Sequence, residues 1–181
     1  MSPSLPEVWL RGPIDGFDPS VMPAVHALLQ VREDLHKLVS TVPPAHVWER
    51  PGGAASIGFH LRHTGGALDR LLTYARGEAL TAEQLQRLRA EEEPGESLES
   101  IGAQLDGLID AACAQLRATT PAMLAERRTV GRANLPSTVG GLIFHAAEHS
   151  TRHLGQAITT ARILAGSARP SQGDSSRRFS S

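Results

Sequence analysis

Apolar residues recur at helical spacing in four long stretches of the chain. In the first, Val25, Leu28, Leu29, Leu35, Val39 and Val42 share one face, with Arg32 as the single polar interruption. Asp18-Pro19-Ser20 or Pro23 offers its start, because Asp caps a helix well and proline fits a first turn; Pro43-Pro44 ends it. The second stretch begins near Ser56 and runs through Ile57, Leu61, Leu68, Leu71, Leu72 and Ala75 to Gly77. The third runs from Ser97 to Thr119 on Leu98, Ile101, Leu105, Leu108, Ile109, Ala112 and Leu116. The fourth, with Ser137 as its candidate cap after Pro136, reaches about Leu164. Thr81–Leu88 has the pattern of a short extra helix, broken by Glu91-Glu-Glu-Pro-Gly95. No segment alternates like a strand. Four amphipathic helices and no strand predict an all-α four-helix bundle over residues 18–165. The long connections at 43–55 and 77–97 leave room for a topology other than simple up-and-down. Residues 1–17, rich in Pro and Gly, are predicted irregular, and the polar segment 166–181 is predicted disordered.

Composition narrows the partners. The net charge of −1 gives no basic field for nucleic acid or an anionic membrane. No apolar run approaches the roughly 18 residues of a membrane span, and the N-terminus carries no signal-peptide core, so the expected location is the cytoplasm. Aromatics are only 4% of the chain, so aliphatic and alanine packing must fill the core. Cys113, the single cysteine, sits in a helical pattern and reads as a small buried hydrophobe rather than a nucleophile.

The chemistry lies in histidines. His145, His149 and His153 recur every fourth residue on the fourth helix, with Gln156 one turn further on. Residues four apart stack on one helix face about 6 Å apart, close enough for two imidazoles to share an ion. His145 would lie about 12 Å from His153, too far to join it. A facial set of three therefore needs a histidine from another helix, and the second helix offers His60 and His63. On a helical wheel His60 lies nearer the centre of the apolar face. His26 and His36 read as solvent-facing or rim residues, and His46 as a loop residue.

The stretch Pro51-Gly-Gly-Ala-Ala-Ser-Ile-Gly-Phe-His-Leu-Arg-His63-Thr-Gly-Gly-Ala-Leu-Asp69, followed far downstream by Ala-Ala-Glu-His149-Ser-Thr-Arg-His153-Leu-Gly-Gln156, resembles the DinB/YfiT-like superfamily of metalloenzymes. The resemblance spans roughly residues 20–165. It implies a four-helix bundle, often a homodimer, that holds a divalent metal with one histidine from the second helix and two from the last. Carried over, the ligands are His63, His149 and His153. His60 then becomes a supporting or pocket residue and the fallback ligand, and Gln156 a hydrogen-bonding neighbour of an imidazole or substrate.

Three neutral imidazoles leave a divalent ion its full charge and an open position, which acidifies a water or a thiol. Imidazole suits zinc, nickel, copper and iron alike; the expected ion is zinc or nickel, with iron or manganese as further options. Some relatives of the resembled superfamily transfer low-molecular-weight thiols such as mycothiol or bacillithiol. The resemblance thus implies a metal-dependent transfer of such a thiol to an electrophilic small molecule. The alternatives are a metal-dependent hydrolase and a non-catalytic metal-binding helical module. Neither Glu148 nor Asp69 recommends itself as a general base, and Arg62 and Arg152 read as outer-flank arginines.

Overall fold

The structure, a computed structural model, describes residues 5–167. Four long helices and one short one carry the chain: α1 (Met22–Val39), α2 (Ile57–Ala75), α3 (Ala82–Arg89), α4 (Leu98–Ala118) and α5 (Val139–Ser167). Their starts follow from local chemistry. Ser56 Oγ accepts the Phe59 N–H at 3.1 Å and Ser97 Oγ accepts the Ser100 N–H at 3.2 Å, satisfying amides that a helix N-terminus leaves open. Thr81 and Gln84 form a reciprocal capping box at the head of α3.

The four long helices form a bundle in which α1 and α2, consecutive in the chain, lie across a diagonal. Each packs instead on α4 and α5, and α2 with α5 is the most extensive pair. The long 40–56 connection makes this crossing, so the bundle is not up-and-down. Its centre is aliphatic, as the scarcity of aromatics requires. Leu28 and Leu35 of α1, Leu61 and Leu68 of α2, Ile101, Leu105 and Ile109 of α4, and Leu154 and Ala157 of α5 are all buried. Each such leucine or isoleucine contributes about 1.5–3 kcal/mol by leaving water. Arg32, the polar interruption on α1, reaches Asp106 at 3.1 Å and Asp110 at 2.5 Å on α4, and His36 joins the same Asp106 at 2.6 Å.

Two expectations are corrected. A short antiparallel hairpin, β1 (Arg127–Val130) with β2 (Leu135–Thr138), precedes α5, pairing Arg127 with Thr138 and Val130 with Leu135. Ser137 lies in β2 and does not cap the last helix; Thr138 Oγ1 accepts the Gly141 N–H at 3.0 Å instead. Residues 5–17 are irregular apart from a 3-10 turn, Val8–Arg11, which buries Val8 and ties its N–H to Gln30 Oε1 at 3.0 Å. The tail predicted disordered lies outside the described residues, except for its first two positions, Gly166 and Ser167, which continue α5. No helix among the described residues is long and apolar enough to cross a membrane.

Candidate metal centre

The α2–α5 contact places histidines of two helices face to face. His63, His149 and His153 each offer a ring nitrogen, and these atoms lie within 4.8 Å of one another. His63 Nε2 and His149 Nε2 are 3.0 Å apart. The rings of His149 and His153, one helical turn apart, have centroids 4.4 Å apart, and those of His63 and His153 4.5 Å. Nitrogens bound to one zinc-like ion at about 2.0–2.1 Å stand about 3–3.5 Å from each other, so small ring movements suffice to close the set on a cation.

The surroundings keep the two α5 rings uncharged. Burial first, and then the neighbouring His63, push His149 down to about 4; burial, His63 and His149 push His153 down to about 4 as well. A neutral ring keeps a lone pair for a metal at neutral pH, so the donor set fits a divalent cation. His149 Nδ1 is buried without a hydrogen-bond partner, the one such side-chain atom among the described residues.

His60 is buried, and its Nδ1 lies 3.2 Å from His153 Nδ1. Burial, with the nearby His63, lowers its pKa too. It thus stands behind His153 rather than within the set of three. Gln156 is exposed, and His145 is half-exposed beside Glu148 at 3.5 Å. His26 Nε2 donates to the Gly12 carbonyl at 3.0 Å. Phe59, one turn before His63, stacks on the His63 ring with a centroid distance of 5.3 Å.

One participant has no counterpart in the sequence reading. Glu91, buried in the segment just after α3, takes His63 Nδ1 on Oε2 at 2.7 Å and the buried Arg70 Nη1 on Oε1 at 2.8 Å. Burial alone would raise its pKa, but the hydrogen bonds from His63 and Arg70 and the Arg70 charge outweigh that and hold the carboxyl below its ordinary value. Gly66 makes the room: a Cβ there would stand 2.6 Å from Glu91 Oε1 and 2.7 Å from Arg70 Nη1.

Arg62 is likewise no outer-flank arginine. Its Nη1 donates to the Ala90 carbonyl at 2.8 Å and the Glu93 carbonyl at 2.6 Å, its Nε donates to Glu96 at 3.0 Å, and its guanidinium lies 4.8 Å over the Trp48 ring. Arg152 does behave as a surface residue, paired with Glu148 at 2.8 Å. Cys113 is partly buried against the core, and burial pushes its thiol pKa up, as suits an inert side chain.

The profile of the DinB superfamily matches residues 27–157. The chain belongs to the DinB superfamily. Two solved structures share the fold of this DinB-superfamily chain. YfiT from Bacillus subtilis, described as a probable metal-dependent hydrolase with an unusual four-helix bundle topology, superposes with a TM-score of 0.64 at 13% identity, covering 85% of this chain and 93% of its own. A conserved protein from Enterococcus faecalis gives a TM-score of 0.55 at 16% identity, covering 80% of this chain and 96% of its own. No curated protein matches the chain.

Proposed function

We propose that the chain is a divalent-metal-dependent enzyme whose ion is held by His63, His149 and His153, and that it transfers a low-molecular-weight thiol to an electrophilic small molecule. The observation that carries the reading is the set of three closely placed imidazoles from two helices, with no carboxylate among them and with His149 and His153 held neutral by burial. An ion held by neutral ligands supplies a full double positive charge, which favours the anionic form of a water or thiol lying against it.

The state of the nearby carboxylates favours a thiol over water as the nucleophile. Glu91 has one oxygen on His63 and the other on Arg70, and Glu148 is paired with Arg152. Neither is free to take a proton from water. A thiol, with an ordinary pKa of about 8.5 against about 15.7 for bulk water, is the easier of the two to ionise against a divalent ion without such a base. The competing reading is hydrolysis, supported by the description of YfiT, whose bundle this chain shares. Zinc or nickel is the expected ion, although imidazole suits copper and iron as well.

The reading also keeps the chain a cytoplasmic homodimer. Sedimentation at micromolar concentration tests the assembly, with a monomer as the contrary result. For the activity, untagged protein loaded with cobalt is titrated with bacillithiol or mycothiol. A sulfur-to-metal charge-transfer band, and faster thiol consumption against a generic electrophile than with His153→Ala, are the expected results. No band with either thiol and no metal-dependent thiol consumption would leave hydrolysis as the better reading.

A further inference from the structure

His63 Nδ1 faces a carboxylate that is fixed from four directions. Arg70 holds the side chain of Glu91, and Gly66 leaves the space in which the two meet. Arg62 holds the backbone on either side, at Ala90 and Glu93. The short helix α3 delivers the segment, itself anchored where Gln84 Nε2 donates to the buried Thr73 Oγ1 at 2.8 Å. A buried carboxylate this constrained can satisfy its lone pairs only by receiving hydrogens. At Oε2 the donor is the Nδ1–H of His63.

We propose that Glu91 is a positioning residue that locks His63 in the Nδ1–H tautomer, so that its Nε2 lone pair is aimed at His149 and His153 before any ion arrives. This rests on the metal-site reading above, which it deepens, and it carries a consequence for the metal-free protein. If His63 Nε2 is an acceptor, the 3.0 Å contact with His149 Nε2 needs a hydrogen from His149. His149 is then the Nε2–H tautomer, and its buried Nδ1 is the lone pair left without a donor. Ion entry requires His149, not His63, to give up that hydrogen. The α2 ligand is thus preset, while the α5 ligand must change tautomer.

Long-range proton–nitrogen NMR correlations of the histidine rings in the full-length, untagged, metal-free protein at pH 7.5 (a general choice, about one unit above an ordinary imidazole pKa) test this directly. The expected spectrum shows His63 protonated at Nδ1 and His149 at Nε2. Zinc titration of wild type and Glu91→Gln supplies a second readout. The variant is expected to lose about 10–100-fold in zinc affinity and to show a mixture of His63 tautomers. Because Glu91→Gln leaves Arg70 buried without its counter-charge, the double variant Arg70→Met/Glu91→Gln removes both and gives the same tautomer test in a neutral pocket.

Wild-type His63 protonated at Nε2, or a single Nδ1–H tautomer together with unchanged zinc affinity in the variants, would overturn the proposal. Failure of the underlying metal reading looks different. Wild type would then take up no zinc, while the tautomers in the metal-free spectrum would still report on Glu91.

Discussion

The two helices that bring histidines together do so by opposite means. On α5 the geometry is intrinsic: His149 and His153 are one turn apart, so any helix through these residues stacks their rings. Support behind them is slight, since the polar partner of the His153 ring is His60 and His149 Nδ1 has no hydrogen-bond partner. On α2 the one candidate ligand, His63, gains its orientation from elsewhere in the chain, through Glu91, Arg70 and the Arg62 clamp. Periodicity alone places the two candidate ligands of α5, whereas the lone candidate on α2 is hydrogen-bonded to a carboxylate from another part of the chain.

The sharpest way to break this contrast is to remove α5 ligands. His149→Ala and His153→Ala each lose stoichiometric metal binding, as read by elemental analysis of untagged protein, because only two imidazoles then remain. Full retention in either variant would remove the α5 pair from the account. Next in size is Arg70→Met, which leaves the Glu91 carboxylate buried without its partner. Breaking such a pair costs about 3–5 kcal/mol in urea unfolding of the metal-free protein. A change below 1 kcal/mol (roughly the worth of an exposed pair) would mean that the segment after α3 swings out into solvent.

A third test uses acid. The folded pKa values of His149 and His153, about 4, lie below the ordinary 6.5. Between those values the unfolded chain binds more protons than the folded one. The metal-free protein therefore loses stability as pH falls from about 6.5 toward 4, and holds that contribution in full above 6.5. Denaturant melts across this range show the slope, and His149→Gln/His153→Gln flattens it. An equal slope in the double variant would place the acid sensitivity elsewhere.

Smaller effects separate supporters from bystanders. His60→Ala weakens zinc binding about tenfold, through the loss of the contact behind His153. Loss of all zinc in this variant, with retention in His63→Ala, would exchange the two residues' roles. Gln156→Ala is expected to leave zinc affinity within twofold, because the side chain is exposed and makes no hydrogen bond to a histidine.

How much of this was legible in the sequence follows the same divide. The four helices and the α5 pair were readable because both rest on a 3.6-residue period. The placement of His63 came from a motif resemblance, since the helical wheel preferred His60; the buried position of His60 shows why the wheel leaned that way. Glu91 was not legible. It is one of three consecutive glutamates in a connection, and only the docking of α3 selects it. A partial signal was present on α2, where His63, Gly66 and Arg70 lie three and four residues apart on one stripe. A cation that close to a candidate ligand calls for a counter-charge, although not for a particular one. The β1–β2 hairpin was invisible for another reason. Its strands have four residues each, and Leu135-Pro-Ser-Thr138 shows no alternation in burial.

The central claim, that His63, His149 and His153 together hold one divalent ion, is tested most directly by zinc titration of the full-length untagged protein, metal-free at the start, alongside His63→Ala, His149→Ala and His153→Ala. The account predicts one tightly bound ion per chain in wild type and none in each variant, with melting curves showing that the variants remain folded. Wild type that binds no ion, or any of the three variants that binds one ion as tightly as wild type, would contradict it.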